Sequence, residues 1–404
     1  MIAAVLAASL LVALLLVAAV YRAIFTFAFL LRGDSLVRAP EPSRQRRFAV
    51  VVPAHDEESF IGDVIATIRR ADYPRDRIEI HVVADNCSDR TAERVRALGE
   101  HVAERHDLSR RGKGAALEWM LERLDLERSD AVAIVDADVE VDPGFFRAMN
   151  RELERGARCL QGFNGICNPD ASTMTRLLAV TYVMKNLLFN GGKAALGLSV
   201  SLSGTGMVLH CDVLRRIGWK AMTIGEDLEQ SIYLLERGER IRFVPDAIVL
   251  AQESTSLGEA YAQRQRWVSG RFALHRLAWR SLLAGLRARS LERVDQSLEL
   301  LMPNYSTMFT WSAVAFAVSL LLVARAPWLL AGACVVIAYQ LCELGISLRL
   351  MRVPPGFVRS LAFAPVFLAW RAAIDVLALV GHRRDRWGRR GRTRPQRTAE
   401  ERLP

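Results

Sequence analysis

AVAIVDAD, residues 131–138, is an almost wholly apolar run that ends in two carboxylates one residue apart. A short continuous apolar run of this kind reads as a strand buried on both faces, and such strands belong to sheets covered by helices on either side. Its neighbours repeat the pattern. AVVVP at 49–53 and IEIHVVA at 78–84 are β-branched runs, separated by stretches long enough for crossover helices at Glu58–Arg70, Asp89–Leu98 and Gly112–Leu124. Strands alternating with amphipathic helices predict an α/β domain, a Rossmann-like sheet with helices on both faces, whose ligands bind beyond the carboxyl ends of the strands. Asp136 and Asp138 stand at such an end.

Downstream, Arg158–Gln252 reads as mixed structure. Helices are expected near Thr173–Phe189 and Asp227–Arg237, and short strands near Gly206–His210 and Arg240–Val244. From Tyr261 to about Leu301 the chain is helical and basic, with Leu274, Leu277, Leu282 and Leu286 set against Arg276, Arg280, Arg287 and Arg289. A membrane-surface helix and a helix packed on the core both fit that pattern.

The flanks are apolar. Of the 404 residues 51% are hydrophobic and 24% charged, which implies apolar blocks set apart from a charged body. Met1–Tyr21 carries no charge and is long enough to cross a bilayer, as are Asn304–Ala324 and Ala326–Cys342. Met1 is followed by no basic segment and Arg22 leads into a further apolar stretch, so the first run reads as an anchor rather than a cleaved leader. Ser360–His382 is broken by Pro365 and carries Arg371 and Asp375 four residues apart, which fits a paired buried helix, a re-entrant element or an interfacial one.

Arginines 22, 32, 38, 44, 46 and 47 follow the first run, and Arg383, Arg384, Arg386, Arg389, Arg390, Arg392, Arg394, Arg397 and Arg402 crowd the tail. Positive residues stay on the cytoplasmic side, so both segments are expected there and the crossings should be odd in number. The net charge of +10 sits mostly beside apolar runs, where anionic headgroups rather than nucleic acid are the nearer partner. Six cysteines show no C-x-x-C pairing and no zinc spacing. The expected organisation is an anchor over 1–31, a catalytic domain over 45–260, interfacial helices over 261–301, a membrane region over 302–382 and a basic cytoplasmic tail over 383–404.

Two carboxylates at a strand end suit a divalent cation, Mg²⁺ or Mn²⁺, which would bridge to a diphosphate and offset the leaving group's charge. Further acidic groups stand at Asp56–Glu58, Asp85 and Glu226-Asp227. After them come Gly204-Thr205-Gly206 and Gln263-Arg264-Gln265-Arg266-Trp267. Arg266 could answer diphosphate charge through its donor fork, and Trp267 offers a flat face for a sugar ring. The glycines of Gly204-x-Gly206 fit either a tight turn or a close approach of acceptor to backbone.

Asp85, Asp136-x-Asp138, Glu226-Asp227 and Gln263-x-x-Arg266-Trp267 occur in the order of the D, D-x-D, E-D and Q-x-x-R-W signature. By these motifs the chain resembles the family 2 inverting glycosyltransferases of the GT-A fold, in the membrane-integrated branch that includes cellulose, hyaluronan and poly-N-acetylglucosamine synthases. The resemblance implies Asp227 as general base with Glu226 beside it. It implies Glu57, Asp85, Lys113, Asp136, Gln263 and Arg266 at the nucleotide-sugar donor, and Gly204, Thr205, Gly206 and Trp267 at the acceptor. Asp136 and Asp138 would hold the metal, and the donor would be a UDP-sugar.

Two positions depart from the family pattern: His55-Asp56 where an asparagine-glutamate pair often begins, and Gly225 where threonine usually precedes Glu-Asp. The implied product is an envelope polysaccharide made at a bacterial inner membrane with the catalytic domain cytoplasmic. Single glycosylation of a lipid or polyprenyl phosphate is the alternative, since one leading anchor and few later spans leave little for a channel. A nucleotide-binding transporter or scaffold is a more distant one, because the carboxylates lie in the soluble domain, and the absence of a G-x-G-x-x-G turn argues against a dinucleotide enzyme.

Overall fold

The structure is a computed structural model that describes residues 2–36, 42 and 44–379. Arg38 and the basic tail 383–404 lie outside the described residues. Eight strands form one sheet: β1 (Phe48–Ala54), β2 (Ile78–Asp85), β3 (His101–Arg105), β4 (Ala131–Ile134), β5 (Val139–Val141), β6 (Cys159–Ile166), β7 (Met207–His210) and β8 (Ile241–Ala251). Their order is β3-β2-β1-β4-β7-β6-β8-β5. The first four run parallel, β7 is antiparallel to β4 and β6, β6 and β8 are parallel, and β5 is antiparallel to β8. The sheet is therefore mixed.

Among the described residues, sixteen α-helices surround and extend it. In the catalytic half these are α1 (Ile2–Arg32), α2 (Ile61–Arg69), α3 (Thr91–Ala97), α4 (Lys113–Leu121), α5 (Phe145–Glu154), α6 (Thr173–Val183), α7 (Gly192–Ala195), α8 (Cys211–Ile217) and α9 (Glu226–Glu236). Then follow α10 (Leu257–Ala273), α11 (His275–Arg287), α12 (Leu291–Leu301), α13 (Tyr305–Leu322), α14 (Pro327–Leu350), α15 (Pro355–Val358) and α16 (Ala364–Leu379).

Alternation along β1 divides the core. Val50, Val52 and Ala54 face α2 and α5 with Ile65, Phe145, Phe146 and Met149. Ala49 and Val51 face α4 and α8 with Leu117, Met120, Leu214 and Ile217. Pro53 is tolerated in this central strand because the pairing with β4 stops at Val51, one pair short of the missing amide donor's reach.

The helix expected over Thr173–Phe189 instead changes register: α6 ends at Val183 and Met184–Gly191 winds as a π-helix. Gly192, just beyond, allows the backbone of Phe25 to pass where a Cβ would lie 2.0 Å from its carbonyl oxygen. Here α1 docks on the sheet domain. Buried Lys193 reinforces the joint by pairing with Asp295 and Glu299, each at 2.7 Å, while Tyr21 donates to Asp295 at 2.8 Å.

Among the described residues, four helical segments are long and apolar enough to cross a membrane: Ile2–Arg32, Tyr305–Leu322, Pro327–Leu350 and Gly356–Leu377. Three of them pack together through α1, α13 and α14, around Val12, Leu15, Met308, Ala315, Leu329 and Val336. The run expected to end at Cys342 continues to Leu350, so α14 carries a buried Glu343 that accepts from Thr26 at 3.3 Å. In α11, Leu282 is buried, whereas Trp279, Leu283 and Leu286 form an exposed apolar stripe; Leu274, just before it, is also buried. None of the six cysteines is in a disulfide.

Candidate active site

Two glycines build the floor of the site. Gly112 has φ +115, a conformation side chains resist, and a Cβ on Gly114 would meet the Ala221 carbonyl at 2.4 Å. Between them Lys113 starts α4 and points under the end of β4. Its ammonium lies 2.5 Å from Asp136 Oδ1 and 3.8 Å from Glu226, and donates to the Gly204 carbonyl at 2.6 Å. Burial alone would lower the Lys113 pKa, but Asp136 and Glu226 outweigh it and raise it, so the group stays cationic. Asp136 is further held by its own N–H, which donates to Thr205 Oγ1 at 3.0 Å.

Glu226 and Asp227 open α9 opposite this floor. Asp227 Oδ1 accepts from the Leu228 N–H at 2.8 Å. Its Oδ2 faces Gly204, 3.6 Å from where a Cβ would sit at that φ +80 position. Burial raises both carboxyls, Glu226 to about 8, with Lys113 opposing and the neighbouring Asp227 charge adding to the rise. Two adjacent carboxylates at a helix start thus share charge with one lysine, an arrangement suited to taking a proton.

From α10, Gln263, Arg264, Arg266 and Trp267 complete the wall of a cavity of about 570 Å³. Arg266 makes no hydrogen bond or ion pair among the described residues; burial lowers its pKa, partly offset by Glu226 and Asp136. Trp267 is 41% exposed, and the Arg264 guanidinium stacks over its ring at 4.5 Å. Arg264 in turn pairs with buried Glu253 at 2.8 Å, which also accepts from Tyr182 at 2.9 Å. That brace was not anticipated: its sequence signal was the first arginine of Q-R-Q-R-W, whose partner Glu253 lies just past the end of β8.

Glu57, Lys113, Asp136, Asp138, Gly204, Thr205, Glu226, Asp227, Gln263, Arg266 and Trp267 all line this one cavity. Asp85 and Gly206 are not brought to its wall. Asp85 is 1% exposed and engaged by Arg105 at 2.5 Å, so its charge is spent inside the β2–β3 edge. Gly206 has φ +64 and a Cβ there would strike Val249 at 2.8 Å, so the glycine serves the entry into β7. His55, noted beforehand only as a departure from the family pattern, does line the cavity, with Nδ1 2.7 Å from the Asp85 carbonyl.

Asp136 and Asp138 present the hard carboxylate oxygens that Mg²⁺ or Mn²⁺ takes, and the Lys113 ammonium on Asp136 marks a place where positive charge is already held. Two carboxylates suffice when a substrate diphosphate supplies further oxygens. Among the described residues, the one group of three ligating side chains within 4.8 Å of one another is Asp56, Cys87 and Asp89, at the ends of β1 and β2.

Residues 45–270 match the family described as "Glycosyltransferase like family 2". The chain belongs to glycosyltransferase family 2. This glycosyltransferase is 27% identical over 233 residues to the "Probable glycosyltransferase YdaM" of Bacillus subtilis, covering 55% of each chain. It is 26% identical over 263 residues to the "Beta-monoglucosyldiacylglycerol synthase" of Synechocystis, covering 62% of this chain and 52% of that one. It therefore spans about half the length of these curated relatives. Among solved structures, a mannosyltransferase from Pyrobaculum calidifontis, in complex with GDP-Man and Mn²⁺, superposes with a TM-score of 0.50 at 19% identity. That match covers 90% of this chain and 99% of the other, and establishes the GT-A fold of the glycosyltransferase.

Proposed function

We propose that this family 2 glycosyltransferase is membrane-bound and passes a sugar, with inversion, from a UDP-sugar to the hydroxyl of an acceptor that arrives from the membrane. One observation carries the reading. The cavity that holds Asp136, Asp138, Glu226 and Asp227 is also lined by Tyr21 and Arg22 of α1, by Tyr305 and Ser306 of α13, and by Phe367 and Arg371 of α16. Chemistry and apolar helices share one space.

In this reading Asp227 Oδ2 takes the proton of the acceptor hydroxyl as its oxygen bonds to the anomeric carbon from the face opposite the diphosphate. The bond from that carbon to the β-phosphate oxygen breaks, and its electron pair leaves with the nucleoside diphosphate. Lys113 and Arg266 supply the fixed positive charge that the departing diphosphate needs. Asp136 and Asp138 would hold Mg²⁺ or Mn²⁺, which supplies Lewis-acid neutralisation of the same charge. Glu57, Gln263 and His55 bound the donor side, while Gly204, Thr205 and Trp267 bound the acceptor side.

Packing also supports a topology. Asp375 of α16 accepts from Thr307, in the first turn of α13, at 2.5 Å. Leu361 and Phe363, just before α16, share an apolar cluster with Met351, just after α14. Asp375 of α16 thus meets the start of α13, and the segment before α16 lies near the end of α14, which fits a reading in which α16 rests at the base of the hairpin while α1, α13 and α14 cross. On that reading the crossings are odd in number and the tail is cytoplasmic. The exposed Trp279, Leu283 and Leu286 stripe of α11 fits the same membrane surface.

The lining of the cavity by Tyr305 of α13 and Phe367 of α16 favours a single addition to a lipid over an envelope polysaccharide. The half-exposed Trp267 of Q-x-x-R-W is the observation that favours the polymer. Purified protein incubated with UDP- and GDP-sugars, with and without lipid extract, tests the function. Lipid-dependent release of UDP is expected; release independent of lipid, or from no donor, would overturn it.

A further inference from the structure

The cavity contains a cation that the transfer chemistry does not use. Arg371 is 8% exposed, lines the cavity, and makes no hydrogen bond or ion pair among the described residues. The partner its spacing suggests, Asp375, is engaged elsewhere: Thr307 donates to Oδ2, and Oδ1 is buried without a partner. Asp375 attracts Arg371 without coming within ion-pair distance, and the nearby Arg264 repels it and is itself paired with Glu253. Burying an unpaired guanidinium costs several kcal/mol as an order of magnitude, so such a group is kept where an anion completes it.

Its surroundings narrow the anion. Phe367, one turn earlier on α16, and Leu178 and Val268 across the cavity are apolar lining residues. α16 packs on α6 and α10 through Phe367 and Ile374. On the topology proposed above, in which α16 rests at the base of the α13–α14 hairpin, Arg371 would stand at the level where a bilayer's headgroups begin, with Phe367, Leu178 and Val268 among the residues lining the same cavity. An aqueous anion would find no use for that wall, whereas a lipid phosphate has both parts.

We propose that Arg371 is the binding residue for the phosphate of a phospholipid-type acceptor whose headgroup also carries the acceptor hydroxyl, placing that headgroup in the catalytic cavity with its chains against α16. This deepens the acceptor assignment above and rests on it. It makes the acceptor an anionic lipid rather than neutral diacylglycerol.

The test is binding, so that it stands apart from turnover. The full chain in detergent is titrated by tryptophan fluorescence with dioctanoyl phosphatidic acid, dioctanoylglycerol and inorganic phosphate, and separately with UDP. A hydrogen bond to a charged partner is worth about tenfold or more in affinity, so wild-type protein should bind the phosphatidic acid at least about tenfold tighter than dioctanoylglycerol. Arg371→Gln should lose that preference, Arg371→Lys should keep most of it, and both should bind UDP as wild type does. Equal affinity of wild type for the two lipids, undiminished phosphatidic acid binding by Arg371→Gln, or inorganic phosphate competing as well as the lipid would each overturn the proposal. The wild-type comparison decides it even if a variant fails to fold. Failure of sugar transfer with intact lipid selectivity would instead count against the catalytic reading alone.

Discussion

Replacing Asp227 by asparagine separates a proton acceptor from a helix cap. Asp227 Oδ1 accepts from the Leu228 N–H at 2.8 Å, and an asparagine carbonyl can keep that bond. The stability change should stay below about 1 kcal/mol, since Gly225 is the N-cap of α9 and asparagine keeps the one bond to the Leu228 amide. Oδ2, the oxygen turned towards Gly204, becomes an amide nitrogen that cannot take a proton. A positioned general base contributes about 10² to 10⁴ in rate, or about 2.7 to 5.5 kcal/mol of barrier. Single-turnover transfer by the purified variant should fall by that factor, while UDP affinity by calorimetry and the melting temperature stay near wild type. Transfer within about tenfold of wild type would refute the role and turn attention to Glu226, buried beside Lys113.

Other outcomes follow from the same geometry. Asp138→Asn should weaken both the Mg²⁺ or Mn²⁺ requirement and donor binding, because an amide is a poor ligand for a hard dication; full wild-type activity in a chelator would contradict the metal assignment. Burial raises Glu226 from 4.5 to about 8, so the carboxyl pair holds a proton below that pH and kcat/KM should climb as pH approaches it, with a flat profile counting against the coupling. Stability runs the other way: the folded value exceeds the unfolded one, so Glu226's contribution is complete below 4.5 and lost as pH rises through about 8. Lys193→Met should cost about 3 to 5 kcal/mol in thermal unfolding, because Asp295 would be left buried without its cation while Glu299 keeps only Lys185, and a loss under about 1 kcal/mol would show the joint to be unimportant. A cysteine at position 390 should label from the cytoplasmic side, and labelling only from outside would mean that α16 crosses.

The legible parts of the fold were those with uninterrupted apolar runs. β1, β2 and β4 stood out because both of their faces are buried, and the Asp136-x-Asp138 and Glu226-Asp227 pairs came with them. β6, by contrast, reads CLQGFNGI, where glycine, glutamine and asparagine dilute the pattern; its neighbours β7 and β8 supply the reason it is a strand. The π-helix at Met184–Gly191 has no local signature, since its register depends on docking against α1. Asp85 looked like a ligand from its strand-end position, and only the tertiary approach of Arg105 shows its charge already matched. The spacing of Arg371 and Asp375 suggested a pair, but Thr307 from another helix takes the aspartate. Partner choice among buried charges is a three-dimensional property that spacing alone does not carry.

The central claim, that one cavity joins inverting sugar transfer to a membrane-delivered acceptor, is tested most directly by the product. Purified protein is given a labelled UDP-sugar and lipid extract, the mixture is partitioned between organic and aqueous phases, and the labelled material is sized and its anomeric configuration read by proton NMR. The account predicts label in the organic phase on a species carrying one sugar, with the anomeric configuration opposite to that of the donor. Retained configuration, or label confined to water-soluble sugar, would contradict it.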